Sequence, residues 1–495
     1  MTQHEIHDIF IIGAGVNGSG IAMDAAGRGL SVILCEMDDL ASATSSRSSK
    51  LIHGGLRYLE FYEFRLVREA LAEREALLKN APHIMWPMRF RLPHRPHLRP
   101  AWMIRIGLFL YDNLAKRERL AASKGIRFDP QGPMAQHINR GFEYSDGWVD
   151  DARLVVLTAR AAADRGARIL TRSRCVSAVR QQDLWQITVA DLANGEQQHY
   201  YARALVNAAG PWVSRVLGEA LGQSKPKPIR MVKGSHIVVP RLHAEDQAYI
   251  LQNEDGRIVF VIPYEDQFSL IGTTDVDYQG DPAQVAISAE ESEYLIQVVN
   301  AHFKQPISSN DVVWCFSGVR PLMDDESTSA QKASRDYAFE LDAKQGAPLL
   351  SIYGGKITTY RKLAEAALDK LCQYFPTAKP AWTREARLPG GDFNDHAELG
   401  ARYSQRYPWI PEAQLKRYVR TYGTLTEQIL DGCSDMTGLG QCFGASLYAR
   451  EVDYLVRREW AQTAEDVLWR RTKLGLLITA EKHAELQCYI DSLKD

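Results

Sequence analysis

The stretch IFIIGAGVNGSGIAMDAAGRGLSVILCE, Ile9 to Glu36, decides the fold. Ile9 to Ile12 is a short apolar run with the composition of a buried strand. GAGVNG, Gly13 to Gly18, turns that strand into a helix running to about Arg28. Leu30 to Glu36 supplies a second strand, with Val32, Ile33 and Leu34 at its core. Each glycine of the G-x-G-x-x-G pattern has its own task. Gly13 makes the tight turn, Gly15 admits a pyrophosphate, and Gly18 lets helix and strand pack closely. The helix N-terminus offers unpaired N–H groups to the phosphates, and Asn17 sits among them. Glu36 ends the second strand, where a carboxylate accepts hydrogen bonds from ribose hydroxyls. The setting predicts a dinucleotide site, because a glycine-rich turn without a ligand leaves Glu36 unexplained.

Downstream lies TSSRSSKLIHGGLRYLE, Thr44 to Glu60. Thr44, Ser45, Ser46, Ser48 and Ser49 crowd together, followed by Lys50, Leu51, His53, Gly54, Gly55, Arg57 and Tyr58. Small hydroxyl residues and glycines let backbone approach a ligand, and Arg57 adds a fork of donors for an anion. The block suits a cofactor on one side and a charged substrate on the other. NAAGPW, Asn207 to Trp212, ends a third strand; Ala209 and Gly210 are small enough to pass close to the cofactor, although a plain strand-to-helix turn reads the same way. GGKITTYRK, Gly354 to Lys362, is a second glycine-rich turn between a strand and a helix. Gly355, Lys356, Thr358 and Thr359 stand at its positive end. A flavin, whose pyrimidine edge becomes negative on reduction, gains from that placement, whereas a nicotinamide cofactor needs no such second turn.

Length and composition bound the rest. At 495 residues the chain holds two or three structural units, and its 45% hydrophobic and 24% charged residues are an ordinary globular balance. A formal net charge of −2 gives no global basic field for nucleic acid. The seven cysteines include no C-x-x-C pair, so neither a metal site nor a disulfide framework is expected and a reducing compartment fits. No signal peptide is read at the N-terminus and no apolar run is long enough to span a bilayer. Helices are expected over 62–80, 150–166 and 358–374, with strands around a turn over 167–190. Ile229 to Pro240, Arg257 to Pro263 and Phe268 to Thr274 are β-rich and read as the antiparallel floor of a substrate domain. After Pro389 the composition turns helical, with Glu451 to Trp460 and Ala464 to Lys473 as examples.

Met85 to Leu120 stands apart. Arg89, Arg91, Arg95, Arg99, Arg105, Lys116, Arg117 and Arg119 are interleaved with Trp86, Met88, Phe90, Trp102, Met103, Leu108 and Phe109. Ala101 to Tyr111 is a short apolar helix candidate with Arg105 as its one charge. The pattern suits an anchor on anionic lipid, and Arg89 or Arg91 are also candidates for lining an active site.

In this order, GAGVNG with Glu36, TSSRSSKLIHGGLRYLE, NAAGPW, KGSHIVVP, IGTTD, SGVRPL and GGKITTYRK resemble the FAD-dependent, quinone-linked glycerol-3-phosphate dehydrogenases of aerobic bacteria. The resemblance runs over essentially the whole chain, including EVDYLVRREW and DVLWRRTK; Arg47 departs from it, standing where some relatives have a small residue. It implies a mixed α/β (α+β) fold: a Rossmann-like FAD-binding domain (1–80, 150–215 and 345–385), an antiparallel-sheet substrate domain facing the membrane (81–149 and 216–344), and a C-terminal helical domain (388–495). It implies oxidation of sn-glycerol 3-phosphate to dihydroxyacetone phosphate, with hydride passing from C2 to flavin N5 and electrons to ubiquinone. An oxidase of the same superfamily, reducing oxygen, is the alternative. Arg57 and Arg320, with Lys356 and Tyr58 nearby, are then the phosphate site. His236 is the candidate base, against the plain reading of a sheet histidine; His53 is a second candidate for the base, or a flavin-positioning residue. Asp275 caps or orients a neighbour. The expected partners are substrate, ubiquinone, an anionic membrane surface and a second copy of the chain, with the protein held peripherally on the inner face of the cell membrane.

Overall fold

Burial on both faces explains why Ile9 to Ile12 and Val32 to Cys35 are continuously apolar rather than alternating. The computed structural model describes residues 5–223, 227–323, 336–344 and 346–494. Its strands are β1 (Ile6–Ile12), β2 (Val32–Cys35), β3 (Leu51–Ile52), β4 (Met85–Pro93), β5 (Lys124–Arg127), β6 (Arg140–Val149), β7 (Arg168–Leu170), β8 (Ser173–Gln181), β9 (Leu184–Asp191), β10 (Gln197–Asn207), β11 (Ile229–Pro240), β12 (Ala248–Gln252), β13 (Ile258–Tyr264), β14 (Phe268–Gly272), β15 (Val276–Asp277), β16 (Trp314–Met323), β17 (Tyr337–Asp342) and β18 (Leu349–Gly354). The helices are α1 (Val16–Gly27), α2 (Phe64–Asn80), α3 (Ala101–Asn113), α4 (Asp151–Ala163), α5 (Val213–Glu219), α6 (Ala289–His302), α7 (Tyr360–Leu371), α8 (His396–Arg406), α9 (Glu412–Tyr422), α10 (Thr426–Ile429), α11 (Ala449–Glu459) and α12 (Ala480–Ser492).

The first sheet runs β17–β18–β10–β1–β2–β7. From β18 to β7 its neighbours are parallel, while β17 and the β8–β9 hairpin attach antiparallel. α1 packs between α4 and α7 over one face of this sheet, and β8 and β9 lie with the apolar side chains of the other. The register Ile12–Cys35 and Ile12–Asn207 brings Gly13, Glu36 and Ala208 to one end of the strands. Ligands bind at that carboxyl end in open sheets of this kind.

The second sheet has ten strands in the order β15–β11–β14–β13–β12–β4–β6–β3, with β16 on β11 and β5 on β6. It is antiparallel except between β4 and β12. The Ser-rich block leaves the end of the first sheet and becomes β3 of the second, so it forms the seam between them.

Part of Met85 to Leu120 departs from the sequence reading. Met85–Pro93 is an interior strand: Met88, Phe90 and Leu92 enter the core, and the intervening arginines are paired. Arg89 and Arg91 both bind Glu143, and Arg91 also binds Glu245 at 2.6 Å, so both are committed to ion pairs within this sheet. A strand with charges on one face and apolar residues on the other satisfies period two, which the basic and aromatic composition hides. Ala101–Asn113 is a helix, and its outer face leaves Trp102, Met103, Ile106, Phe109 and Leu110 exposed. Among the described residues no helix is long and apolar enough to cross a membrane.

Residues 396–492 form the helical C-terminal part, with the segment Asp466–Arg471 wound as a π-helix where an ordinary helix is expected. It meets the first sheet's helices through buried ion pairs. Arg153 of α4 binds Glu459, Asp39 receives Arg471 at 2.6 and 2.7 Å, and Lys473 reaches Asp150 at 2.7 Å.

Candidate active site

The first glycine-rich turn is as tight as its pattern requires. Gly13 has φ +98°, and a Cβ there would lie 2.7 Å from the Ala208 carbonyl oxygen. A Cβ on Gly18 would lie 1.8 Å from the Gly13 carbonyl oxygen. Gly15 faces Ser45, whose hydroxyl accepts the Val16 N–H at 2.9 Å. Glu36 accepts the N–H of Ala14 at 2.8 Å and of Asp38 at 3.0 Å. Burial holds its carboxyl up, to about 7, against the pull of those two donors.

Asn17 joins the two glycine-rich turns. Its amide donates to the Gly354 carbonyl at 3.1 Å, and its Oδ1 is buried without a hydrogen-bond partner among the described residues. A Cβ on Gly355, at φ +98°, would lie 3.0 Å from that amide. Thr358 and Thr359 are buried at the start of the following helix, and the Thr358 hydroxyl lies 3.3 Å from the backbone nitrogen of His53. A cradle closed to any Cβ, a positive helix end and an unsatisfied amide oxygen together fit a dinucleotide cofactor. Ala209 and Gly210 begin the turn after β10, next to Gly13.

The Ser-rich block commits several of its side chains to the scaffold. Ser48 donates to Asp151 at 2.7 Å, and the Lys50 ammonium binds the same carboxylate at 2.8 Å. Both therefore brace the loop on the N-terminus of α4. Burial pushes the Lys50 pKa down, and Asp151 opposes that shift. Thr44 donates to the Val319 carbonyl at 2.7 Å, and the Ser46 hydroxyl lies 3.4 Å from the Ala43 carbonyl. Leu51 is buried in the core of the second sheet. Arg47 packs over Gly318, where a Cβ would meet the arginine's own Cβ at 2.6 Å. A glycine opposite the loop thus accommodates the large residue, whose pKa burial and Arg470 push down.

Ser49 leads to His236, whose Nε2 lies 2.9 Å from its hydroxyl. His236 is 1% exposed, stacks on Phe316 at 4.8 Å, and would strike any Cβ on Gly272. Its Nδ1 has no hydrogen-bond partner among the described residues. Burial, with Arg320 and Lys50 nearby, holds the imidazole well below its usual range, so it is neutral at pH 7. His53, in contrast, is only half-buried.

The cations stand on converging elements. Arg320 of β16 donates to Asp275 and to Thr273, so Asp275 orients this arginine. Arg57 lies in a 3₁₀ turn, Leu56–Phe61, and makes no hydrogen bond or ion pair among the described residues. The Lys356 ammonium lies 3.9 Å above the Tyr58 ring. The Gly354 turn in turn abuts Pro321, next to Arg320. Gly54 donates its N–H to the hydroxyl of Tyr111 at 2.7 Å, a partner that sequence reading did not select. Tyr111 lies far along the chain, and no local pattern marks it. The described residues include no cluster able to hold a metal ion, and all seven cysteines are unpaired.

A family model described as FAD dependent oxidoreductase matches residues 8–361, and one described as the C-terminal domain of alpha-glycerophosphate oxidase matches residues 381–495. The chain is 58% identical over 490 residues to glycerol-3-phosphate dehydrogenase of Pseudomonas aeruginosa, covering 99% of this chain and 96% of that one. It is 55% identical over 488 residues to aerobic glycerol-3-phosphate dehydrogenase of Escherichia coli, covering 98% and 97%. The structure is similar to that of glycerol-3-phosphate dehydrogenase from Bacillus halodurans complexed with FAD, at 26% identity and a TM-score of 0.74, covering 99% of this chain and 94% of that one.

Proposed function

We infer the reaction from the family to which this chain belongs, the FAD-dependent glycerol-3-phosphate dehydrogenases. The proposed substrate is sn-glycerol 3-phosphate, the product dihydroxyacetone phosphate and the electron acceptor a membrane quinone. Bound FAD supplies the acceptor for the C2 hydride and the relay of two electrons to the quinone. The observation that carries the substrate reading is that the turns of Arg57 and Lys356 meet at Tyr58 and the Lys356 turn abuts the strand of Arg320. Arg57 makes no hydrogen bond or ion pair among the described residues, and Arg320 is held in place by Asp275 and Thr273. Two guanidinium forks and an ammonium suit a phosphate dianion.

The C2 hydroxyl proton has two candidate acceptors. His236 addresses the site through the Ser49 hydroxyl, and a third positive charge beside Arg320 and Lys50 is disfavoured. Half-buried His53, next to the phosphate turn, is the favoured base, with His236 fixing Ser49. The exposed apolar face of α3 supports a bilayer-soluble acceptor and a place on a membrane surface.

The test is anaerobic mixing of the yellow protein with sn-glycerol 3-phosphate. Flavin absorbance should bleach and return on adding a short-chain quinone; a four-carbon polyol phosphate should bleach it more slowly. No bleaching overturns the substrate, and peroxide release in air as fast as quinone reduction overturns the acceptor. His53→Gln should slow bleaching by about 100-fold, in the range of general-base losses. His236→Gln should act less on bleaching and more on flavin retention. The reverse order would exchange their roles.

A further inference from the structure

Tyr111 belongs to α3, the helix whose outer face is apolar and exposed, yet its own side chain is 1% exposed and points the other way. Its hydroxyl accepts the Gly54 N–H at 2.7 Å and donates to Asp146, whose two oxygens lie 2.8 and 2.9 Å away. Asp146 also receives Arg74 at 2.6 Å, and Arg74 donates to the Ser145 carbonyl at 3.1 Å. Asp146 and Arg74 are each 2% exposed. Burial beside Asp146 pushes the Tyr111 pKa well above its usual range, so the phenol keeps its proton. The proton points at Asp146, which leaves the oxygen lone pair for Gly54.

Gly54 is the only residue type that fits there. A Cβ would lie 2.8 Å from the Tyr111 oxygen and 2.5 Å from the Leu71 side chain. Gly55 follows at φ +75°, and the 3₁₀ turn with Arg57 and Tyr58 starts directly after it. The same segment is held at His53 by Thr358 and at Tyr58 by Lys356. Of these three fastenings, the one at Gly54 comes from outside both glycine-rich turns.

We propose that Tyr111 is a positioning residue for the reaction, whose hydroxyl fixes the 54–58 turn in the form that lets Arg57 meet the substrate's phosphate. The proposal rests on the reading of Arg57 as a phosphate ligand. Without the hydroxyl, the Gly54 N–H loses its 2.7 Å acceptor and, among the described residues, has only the Asp146 carboxylate to turn to, so the turn shifts to reach it. Arg57 moves with the turn, whereas Ser45, Ser49 and Glu36 keep their own partners Val16, His236 and Ala14.

Tyr111→Phe removes one oxygen and keeps the ring. Expected are a rise of about tenfold in KM for sn-glycerol 3-phosphate and in the inhibition constant of inorganic phosphate, with kcat and flavin content near wild type; tenfold corresponds to ~1.4 kcal/mol. A general loss of packing would instead lower kcat and flavin content together. In an Arg57→Ala background the same substitution should add little, because both act through one contact. Multiplying effects, or an unchanged KM, would overturn the proposal. Arg57→Ala with an unchanged KM would instead overturn the phosphate site while leaving the Tyr111 contact standing. An arm without variants uses hydrogen exchange in the wild-type holoenzyme. Exchange over residues 53–59 should slow on adding inorganic phosphate, and no change would count against the coupling.

Discussion

Glu36 concentrates the residue-scale physics of the cofactor site. Its carboxyl is held at about 7 by burial, while the ribose hydroxyls of a bound dinucleotide favour the carboxylate. Binding therefore releases a proton below pH 7. FAD affinity of the apoprotein should rise roughly tenfold between pH 6 and pH 8 and flatten above, as one pKa unit corresponds to one decade. The sign for the apoprotein is the opposite. A carboxyl with a raised folded pKa contributes stability that is full below about 4.5 and lost as pH rises through about 7. Titration of flavin fluorescence against apoprotein measures the first effect. Glu36→Gln should weaken binding and remove the slope, and a retained slope would assign the proton elsewhere. The glycines and Glu36 were legible in the sequence because their requirement is backbone geometry, which a local pattern records. The destinations of Ser48 and Lys50 were not, since Asp151 lies about a hundred residues away and only the packed fold brings it in.

At the scale of elements, α3 and β4 show what composition does and does not encode. Both lie in one basic, aromatic stretch, but they obey different periods. In β4 the arginines alternate with core residues and find Glu143 on the neighbouring strand β6. In α3 the period is helical, with Leu108 and Tyr111 inside and Trp102, Ile106, Phe109 and Leu110 outside. Phe61, at the end of the turn packed against α3, is exposed as well, as are Tyr62 and Phe64 that follow it. A contiguous exposed patch of this kind marks an interaction surface. Each large side chain that reaches the acyl boundary contributes about 1.5–3 kcal/mol. Trp102→Glu with Phe109→Glu should therefore abolish flotation with vesicles containing anionic lipid. Dye-coupled turnover of sn-glycerol 3-phosphate in solution should stay near wild type. Flotation that survives the double change would overturn the reading of α3 as a membrane anchor.

For the whole molecule, the question is why a C-terminal helical part accompanies the catalytic sheets at all. Its buried charges give one answer. Arg153 and Glu459 are both fully buried, and beside them Asp39 takes both Arg470 and Arg471. Lys473 reaches Asp150, the N-cap of α4, whose next residue, Asp151, holds Ser48 and Lys50. The C-terminal part thus buttresses the helix end on which the Ser-rich loop is built. None of this was readable from the sequence, where EVDYLVRREW registers only as an amphipathic helix; the ion pairs span about three hundred residues. A buried pair gives little net stability over apolar replacements, but removing one partner leaves a charge stranded at a cost of about 3–5 kcal/mol. Glu459→Gln should accordingly lower the melting temperature and release FAD at a lower temperature than wild type, because the loop's support fails with the interface. Arg153→Met combined with Glu459→Leu should recover most of the loss, since it removes both charges and keeps the volume filled. Scanning calorimetry paired with flavin fluorescence reads the two transitions separately. Unfolding of the C-terminal part with flavin retained to the wild-type temperature would show that the ion pairs hold the interface alone and that the loop needs no support from it.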